Sequence, residues 1–183
     1  FGGRAEEILG AEAFAEAKRE ITSWPGYAPT PLVPLAGLAG ALGVAEVQYK
    51  DEGQRFGLKS FKALGGPYAV VCHVLSAIRD ATGEDATAQD LVSGKYRDLT
   101  PGMTVTSATD GNHGRSVAWG AQMFGCSCVI YIHATVSEGR KQTIEEFGAK
   151  VVRVSGNYDD SVRQAAADAE EHGRQVISDT SYE

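Results

Sequence analysis

From residue 103 to the end of the chain, the spacing of apolar residues switches repeatedly between two periods. The stretches "MTVTSA" (103–108), "CVIYIH" (128–133), "KVVRVS" (150–155) and "QVISD" (175–179) are short and rich in Val and Ile, and they read as strands. Between them, residues of about 111–123, 137–147 and 158–172 carry apolar positions at helical spacing. Buried-looking strands that alternate with helices predict a parallel sheet, so the fold class is α/β. Upstream the pattern is more broken. Residues 4–22 predict a helix through Ile8, Phe14, Ala15 and Ile21, and Pro25, Gly26, Pro29, Pro31 and Pro34 turn "WPGYAPTPLVPL" into an extended connector. "AEVQYK" (45–50) predicts a strand and "DEGQRFGLKS" a polar loop. A long helix is expected from Phe61, with Leu64, Val71, Leu75 and Ile78 on one face, followed by a polar segment over 86–99 holding a short helix and a loop.

Composition narrows the function classes. The chain has 183 residues, 43% of them hydrophobic and 22% charged, which suits a globular protein with a real core. A formal charge of −7 argues against nucleic acid or an anionic membrane as partner. No apolar run approaches the roughly 20 residues of a membrane-spanning helix. Cys72, Cys126 and Cys128 lack the spacing of a disulfide framework, a redox pair or a zinc site, which fits a reduced, cytoplasmic setting.

Two places carry candidate chemistry. In "VTSATDGNHGR" (105–115) a strand ends directly before a helix, so "DGNHG" reads either as a capped turn or as an anion site built from free N–H groups at the helix start. Asp110 is more than a cap requires, because Ser107, Thr109 or Asn112 could serve. In "SFKALGG", Lys62 falls in the first turn of a long helix, where the dipole and nearby apolar groups favour an uncharged amine; the alternative is a solvated surface lysine. Ligands of parallel sheets lie beyond the carboxyl ends of the strands, so Asp110 and Asp179 are expected to face one crevice. His113 is expected to line the loop, and His73, His133 and His172 to be structural. Asp51, Glu52 and Arg55 read as a solvated charged run, Arg115 as a steering group or a helix-surface residue. G-x-G-x-x-G, G-x-x-x-x-G-K-[ST] and H-E-x-x-H are all absent.

Taken in order, "TPLVPL" (30–35), "KDEGQRFGLKSFKALGG" (50–66) and "SATDGNHGRSVAWGA" (107–121) resemble the tryptophan-synthase-β-like, fold-type II group of pyridoxal phosphate enzymes. "GRKQTIEEFGAKVVRVSGNYDDSVRQA" resembles it more weakly. Within the group, "ATDGNHGR" and the ending "SDTSYE" are most similar to the diaminopropionate ammonia-lyase family, since the dehydratases usually carry a small or hydroxyl residue where Asp110 stands.

This resemblance implies pyridoxal 5'-phosphate as cofactor and α,β-elimination of ammonia from 2,3-diaminopropionate, giving pyruvate and ammonia through an aminoacrylate. It implies that Lys62 holds the cofactor's aldehyde, that Asn112 contacts the ring hydroxyl, and that Thr109, Asp110, Gly111, Asn112 and His113 hold the substrate carboxylate. Asp110 would be the base toward one enantiomer and Asp179 toward the other. No metal is expected. The architecture implied is two parallel-sheet α/β domains with the cofactor in their cleft. Residues 1–68 would belong to the larger domain, 69–175 to the smaller, and 176–183 to the return. The glycine-rich phosphate loop of the group has no counterpart here, so a C-terminal half is expected to complete the site, in a homodimer. A threonine or serine dehydratase, or a non-catalytic binding homologue, is the alternative.

Overall fold

The computed structural model describes residues 10–180, which divide into two compact units between Phe61 and Lys62. The part of the expected first helix over residues 4–9 and the last residues of "SDTSYE" (181–183) lie outside that range.

The first unit holds helix α1 (Ala11–Ser23), strand β1 (Leu32–Pro34), helix α2 (Ala36–Leu42), strand β2 (Gln48–Lys50) and a 3-10 turn (Glu52–Gly57). β1 and β2 pair antiparallel, Leu32 opposite Lys50. The helix α2 was not legible in the sequence, because its small residues, "AGLAGAL", carry no strong period. The charged run 51–55 departs from the expected solvated loop. Arg55 is 6% exposed, and its Nε lies 2.7 Å from Glu52 Oε2. Arg55 also donates to the Ala28 carbonyl at 3.0 Å and to Thr30 Oγ1 at 2.9 Å. Its guanidinium lies 5.5 Å from the Tyr27 ring centre, and Phe56 packs between Tyr27 and the buried Trp24 at 6.0 and 6.1 Å. A buried guanidinium must be paired to be tolerated, and this one is.

The second unit carries the alternation. Helix α3 (Lys62–Thr82) and the short α4 (Ala88–Val92) precede strand β3 (Thr104–Ala108), helix α5 (Asn112–Phe124), strand β4 (Ser127–His133), helix α6 (Glu138–Glu145), strand β5 (Lys150–Val154), helix α7 (Tyr158–His172) and strand β6 (Gln175–Val176). All strand pairs are parallel, in the order β5-β4-β3-β6. The side chains of β4 alternate. Val129 and Tyr131 pack with Ala165 and Val162 of α7, whereas Ile130 lies against Gly114 of α5. The sheet is therefore covered on both faces, as a parallel sheet requires. Ile130, Ile132, Phe124, Ile78 and Ile144 are fully buried, each contributing about 1.5–3 kcal/mol.

α3 packs on α5 at close range. Gly66 lies against Ser116 and Val117, and a Cβ at Gly120 would come within 2.8 Å of Pro67 Cα. That explains the Gly-Gly-Pro run in the early turns of a helix: two backbones approach where side chains would separate them.

β6 is shorter than the stretch 175–179 suggests. It bonds only to β3, through Gln175 and Val176, and Ile177 N–H reaches Thr106 O at 2.8 Å. A turn follows, in which the Ser178 hydroxyl donates to Thr180 O and accepts from Thr180 N–H, and Asp179 stands within it. Among the described residues, no helix is long and apolar enough to cross a membrane.

Candidate active site

The order of the strands reverses at β3: β4 and β5 extend the sheet on one side, and β6 returns on the other. Such a switch point opens a crevice beyond the carboxyl ends of the strands. The residues after β3 and those after β6 flank that crevice.

The turn after β3 is built by Thr109. Its N–H continues the ladder to Tyr131 O at 3.0 Å, and its buried Oγ1 accepts from Gly111 N–H at 3.0 Å and Gly114 N–H at 3.1 Å. Of the three capping candidates it is therefore Thr109 that ties the start of α5, satisfying donors that would otherwise be orphaned. Gly114 is demanded by this arrangement, since a Cβ there would sit 2.3 Å from Thr109 Cγ2 and 3.0 Å from Ile130 Cγ2. Asn112 is the first residue of α5, and Ser116 Oγ returns to its carbonyl at 2.8 Å.

Lys62 is the first residue of α3, and its Nζ lies 2.5 Å from Asp179 Oδ2. The sequence separates these two by 117 positions, and the switch-point topology brings them together. His113 is buried. Its Nε2 donates to Ile177 O at 3.0 Å, and its Nδ1 stands 3.7 Å from the same Asp179 oxygen. Burial acting alone raises the Asp179 carboxyl. The hydrogen bond from Lys62 and the nearby His113 and Lys62 charges outweigh it and hold Asp179 below the ordinary aspartate range.

Lys62, Asp179, His113, Asn112, Gly111, Asp110 and Thr109 line one cleft of about 220 Å³, with Ala108 and Tyr158. The seven residues to which the resemblance gives catalytic, cofactor or substrate roles thus border the same opening. A neighbouring hollow is lined by the other side of Asp110, Gly111 and Asn112 and by Arg115, Arg140 and Thr143. Arg115 is half-buried there, its guanidinium 5.7 Å from the Phe147 ring centre, and Arg140 Nη1 donates to Asp110 O at 3.3 Å.

One residue of this region was read only as structural. His133 Nε2 lies 2.8 Å from Asp110 Oδ1. The missed signal is the register of β3 against β4. The remaining candidates lie apart: burial lowers the His73 imidazole, and His172 Nδ1 faces Asp168 O at 2.9 Å. Burial pushes the Cys126 thiol up to about 11 and that of Cys128 higher still, which makes both inert as nucleophiles.

Diaminopropionate ammonia-lyase of Escherichia coli (strain K12) is 36% identical over 183 residues, which is all of this chain and 45% of that protein. A crystal structure of the holo form of the Escherichia coli enzyme has a TM-score of 0.83 at 35% identity, covering 96% of this chain and 44% of that one. Another, in complex with an aminoacrylate–PLP azomethine reaction intermediate, has a TM-score of 0.81 at 35% identity, covering 100% of this chain and 44% of that one. The chain thus spans about 45% of the length of the curated relatives it matches. Residues 23–182 match the model of the pyridoxal-phosphate dependent enzymes, and with a lysine, an aspartate and an Asn-His turn gathered at its sheet's switch point, the chain belongs to that family.

Proposed function

We propose that the protein carrying this chain, loaded with pyridoxal 5'-phosphate, eliminates ammonia from 2,3-diaminopropionate and releases pyruvate and a second ammonia. The observation that carries the reading is the 2.5 Å contact between Lys62 Nζ and Asp179 Oδ2 in a cleft that Asp110 also lines. The residues present fit the cofactor. Lys62 offers a primary amine, one-third exposed, to an aldehyde and Asn112 an amide to a ring hydroxyl, and both line the same cleft of about 220 Å³. When bound, the cofactor supplies an electron sink for the pair left at Cα once the α-proton is removed.

This chain's own groups hold the cofactor's aldehyde and the substrate and move the protons, and a C-terminal half completes the site. Lys62 holds the cofactor and Asp179 stands ready to exchange a proton with its amine. Thr109, Asp110, Gly111, Asn112 and His113 hold the substrate carboxylate, using N–H groups at the start of α5. Asp110 and Asp179 take the α-proton from opposite enantiomers. Two carboxylates also suit a substrate that bears two amino groups, because the β-amine leaves as ammonia only from its protonated form, and a carboxylate stabilises that ammonium before the C–N bond breaks. A hydroxyl leaving group gains little from them, which favours the diamino acid over serine or threonine.

The proposal extends to the setting: a cytoplasmic homodimer, with residues 1–68 and 176–183 in the larger domain of the whole fold and 69–175 in the smaller. The test uses the intact protein. Borohydride reduction followed by peptide mapping should find the cofactor on Lys62; an unmodified Lys62 overturns the cofactor role. Pyruvate release should be faster from diaminopropionate than from serine or threonine, and the reverse order overturns the substrate. Asp110→Asn and Asp179→Asn should each slow a different enantiomer; equal slowing of both by both variants removes the two-base assignment.

A further inference from the structure

We infer that His133 is a positioning residue for Asp110, and that Thr135 fixes His133 in turn. The inference rests on the reading of Asp110 as a base in the proposed elimination. Its origin is the register of the sheet. β3 and β4 run parallel with Ala108 opposite Tyr131, and the Thr109 N–H bond to Tyr131 O carries the ladder one step past the strand. Two residues on from that pair stand Asp110 and His133. Neighbouring strands lie roughly 4.8 Å apart, so side chains at matched positions meet, and His133 Nε2 reaches Asp110 Oδ1 at 2.8 Å.

An ionised carboxylate only accepts, so Nε2 carries the hydrogen of this bond. The other ring nitrogen, Nδ1, lies 3.0 Å from Thr135 Oγ1. Both nitrogens are therefore engaged: the carboxylate places the hydrogen on Nε2, and the residue two positions along the chain, whose hydroxyl can donate to Nδ1, fixes the tilt of the ring. The ring is 18% exposed, whereas the Asp110 side chain is 61% exposed. An exposed carboxylate at a loop tip would turn through several rotamers. Here it is held from the side by a ring anchored at the end of a central strand. A base misplaced by about 1 Å loses up to a hundredfold in rate, so the holding matters to the step Asp110 performs and to no step of Asp179.

The experiment compares His133→Leu, His133→Gln and Thr135→Val in the intact, cofactor-loaded protein. His133→Leu should lower kcat roughly tenfold for the enantiomer that Asp110→Asn slows, with KM nearly constant, and leave the other enantiomer alone. His133→Gln keeps an N–H where Nε2 stands and should restore most of that rate, and Thr135→Val should fall between. Independently of activity, ring ¹⁵N spectra should show a hydrogen on His133 Nε2 that becomes fast-exchanging in Asp110→Ala. Melting temperature and cofactor absorbance control for folding. If Asp110→Asn is enantiomer-selective but His133→Leu slows both enantiomers alike, or neither, the positioning role is overturned. If Asp110→Asn itself shows no selectivity, the base reading fails and takes this inference with it.

Discussion

The buried pair Glu52–Arg55 makes a prediction whose size follows from the structure. The Arg55 guanidinium donates to both Glu52 carboxylate oxygens, at 2.7 and 2.9 Å, and Thr30 Oγ1 lies against the same carboxylate at 2.5 Å. The Arg55 hydrogen bond, opposed in part by burial, holds the Glu52 carboxyl at about 2 against an ordinary 4.5. A carboxyl depressed in the folded state stabilises the fold above its unfolded value and loses that contribution as pH falls through its folded one. The shift corresponds to at most about 3 kcal/mol, and about 2 kcal/mol once solvent at the partly open carboxylate is allowed for. Glu52→Gln keeps the shape and removes the charge, leaving Arg55 buried without a counter-ion. At pH 7 it should destabilise the first unit by about 2–3 kcal/mol. Because Trp24 is buried beside Phe56, its fluorescence reports this unit once Trp119→Phe, with replacement of any tryptophan outside this chain, makes it the sole indole. Urea titrations of the intact protein should show wild type and Glu52→Gln far apart at pH 6 and converging between pH 4.5 and 2. A gap that stays constant down to pH 2.5 refutes the assignment of this pH dependence to Glu52.

Three further outcomes are expected. Gly114→Ala drives a methyl into Thr109 Cγ2 and Ile130 Cγ2, so it should cost about 1–3 kcal/mol in denaturant unfolding and, by moving the turn, more in turnover than in folding. Tyr131→Phe removes a buried hydroxyl that donates to Asp168 and accepts from Arg174 Nη1 at 2.9 Å, and should cost about 1.5–3 kcal/mol in the same assay. Since burial pushes that phenol up to about 12, wild type should also lose stability as pH rises from 10 towards 12, a fall the variant lacks. Finally, His113→Gln takes away one of the influences that depress the Asp179 carboxyl, and carboxyl ¹³C spectra should show its titration moving up towards 3.8.

The second unit was legible because its elements obey their periods without conflict. Val and Ile strands, an Asn157–Asp160 capping box and the Thr109 turn all specify the same structure, and the helix expected over 158–172 is the one observed. The first unit was less legible for a physical reason. Its cohesion comes from Arg55, Glu52, Thr30 and the Trp24–Phe56–Tyr27 rings, which are polar or aromatic groups scattered over some thirty residues, and no period marks them. A charged run can be solvated or buried, and only the partners decide which.

The candidate site divides in the same way. Lys62, Asp110, Asn112 and Asp179 could be marked because each stands at the end of an element, where side chains do not serve the core. The pairing of Lys62 with Asp179 needed the strand order, since only the return of β6 beside β3 closes that distance. The pairing of His133 with Asp110 needed less. The offset between β3 and β4 that sets Ala108 against Tyr131 also sets residue 110 against residue 133, so an imidazole at a strand's end and a carboxylate past its neighbour's were bound to meet once the strands were known to be adjacent and parallel. Reading histidines for metal-ligand spacing passes over such a pair, because its spacing lies across the sheet and not along the chain. In a parallel sheet, the polar residues just beyond the strand ends should therefore be compared by register before any of them is set aside as structural.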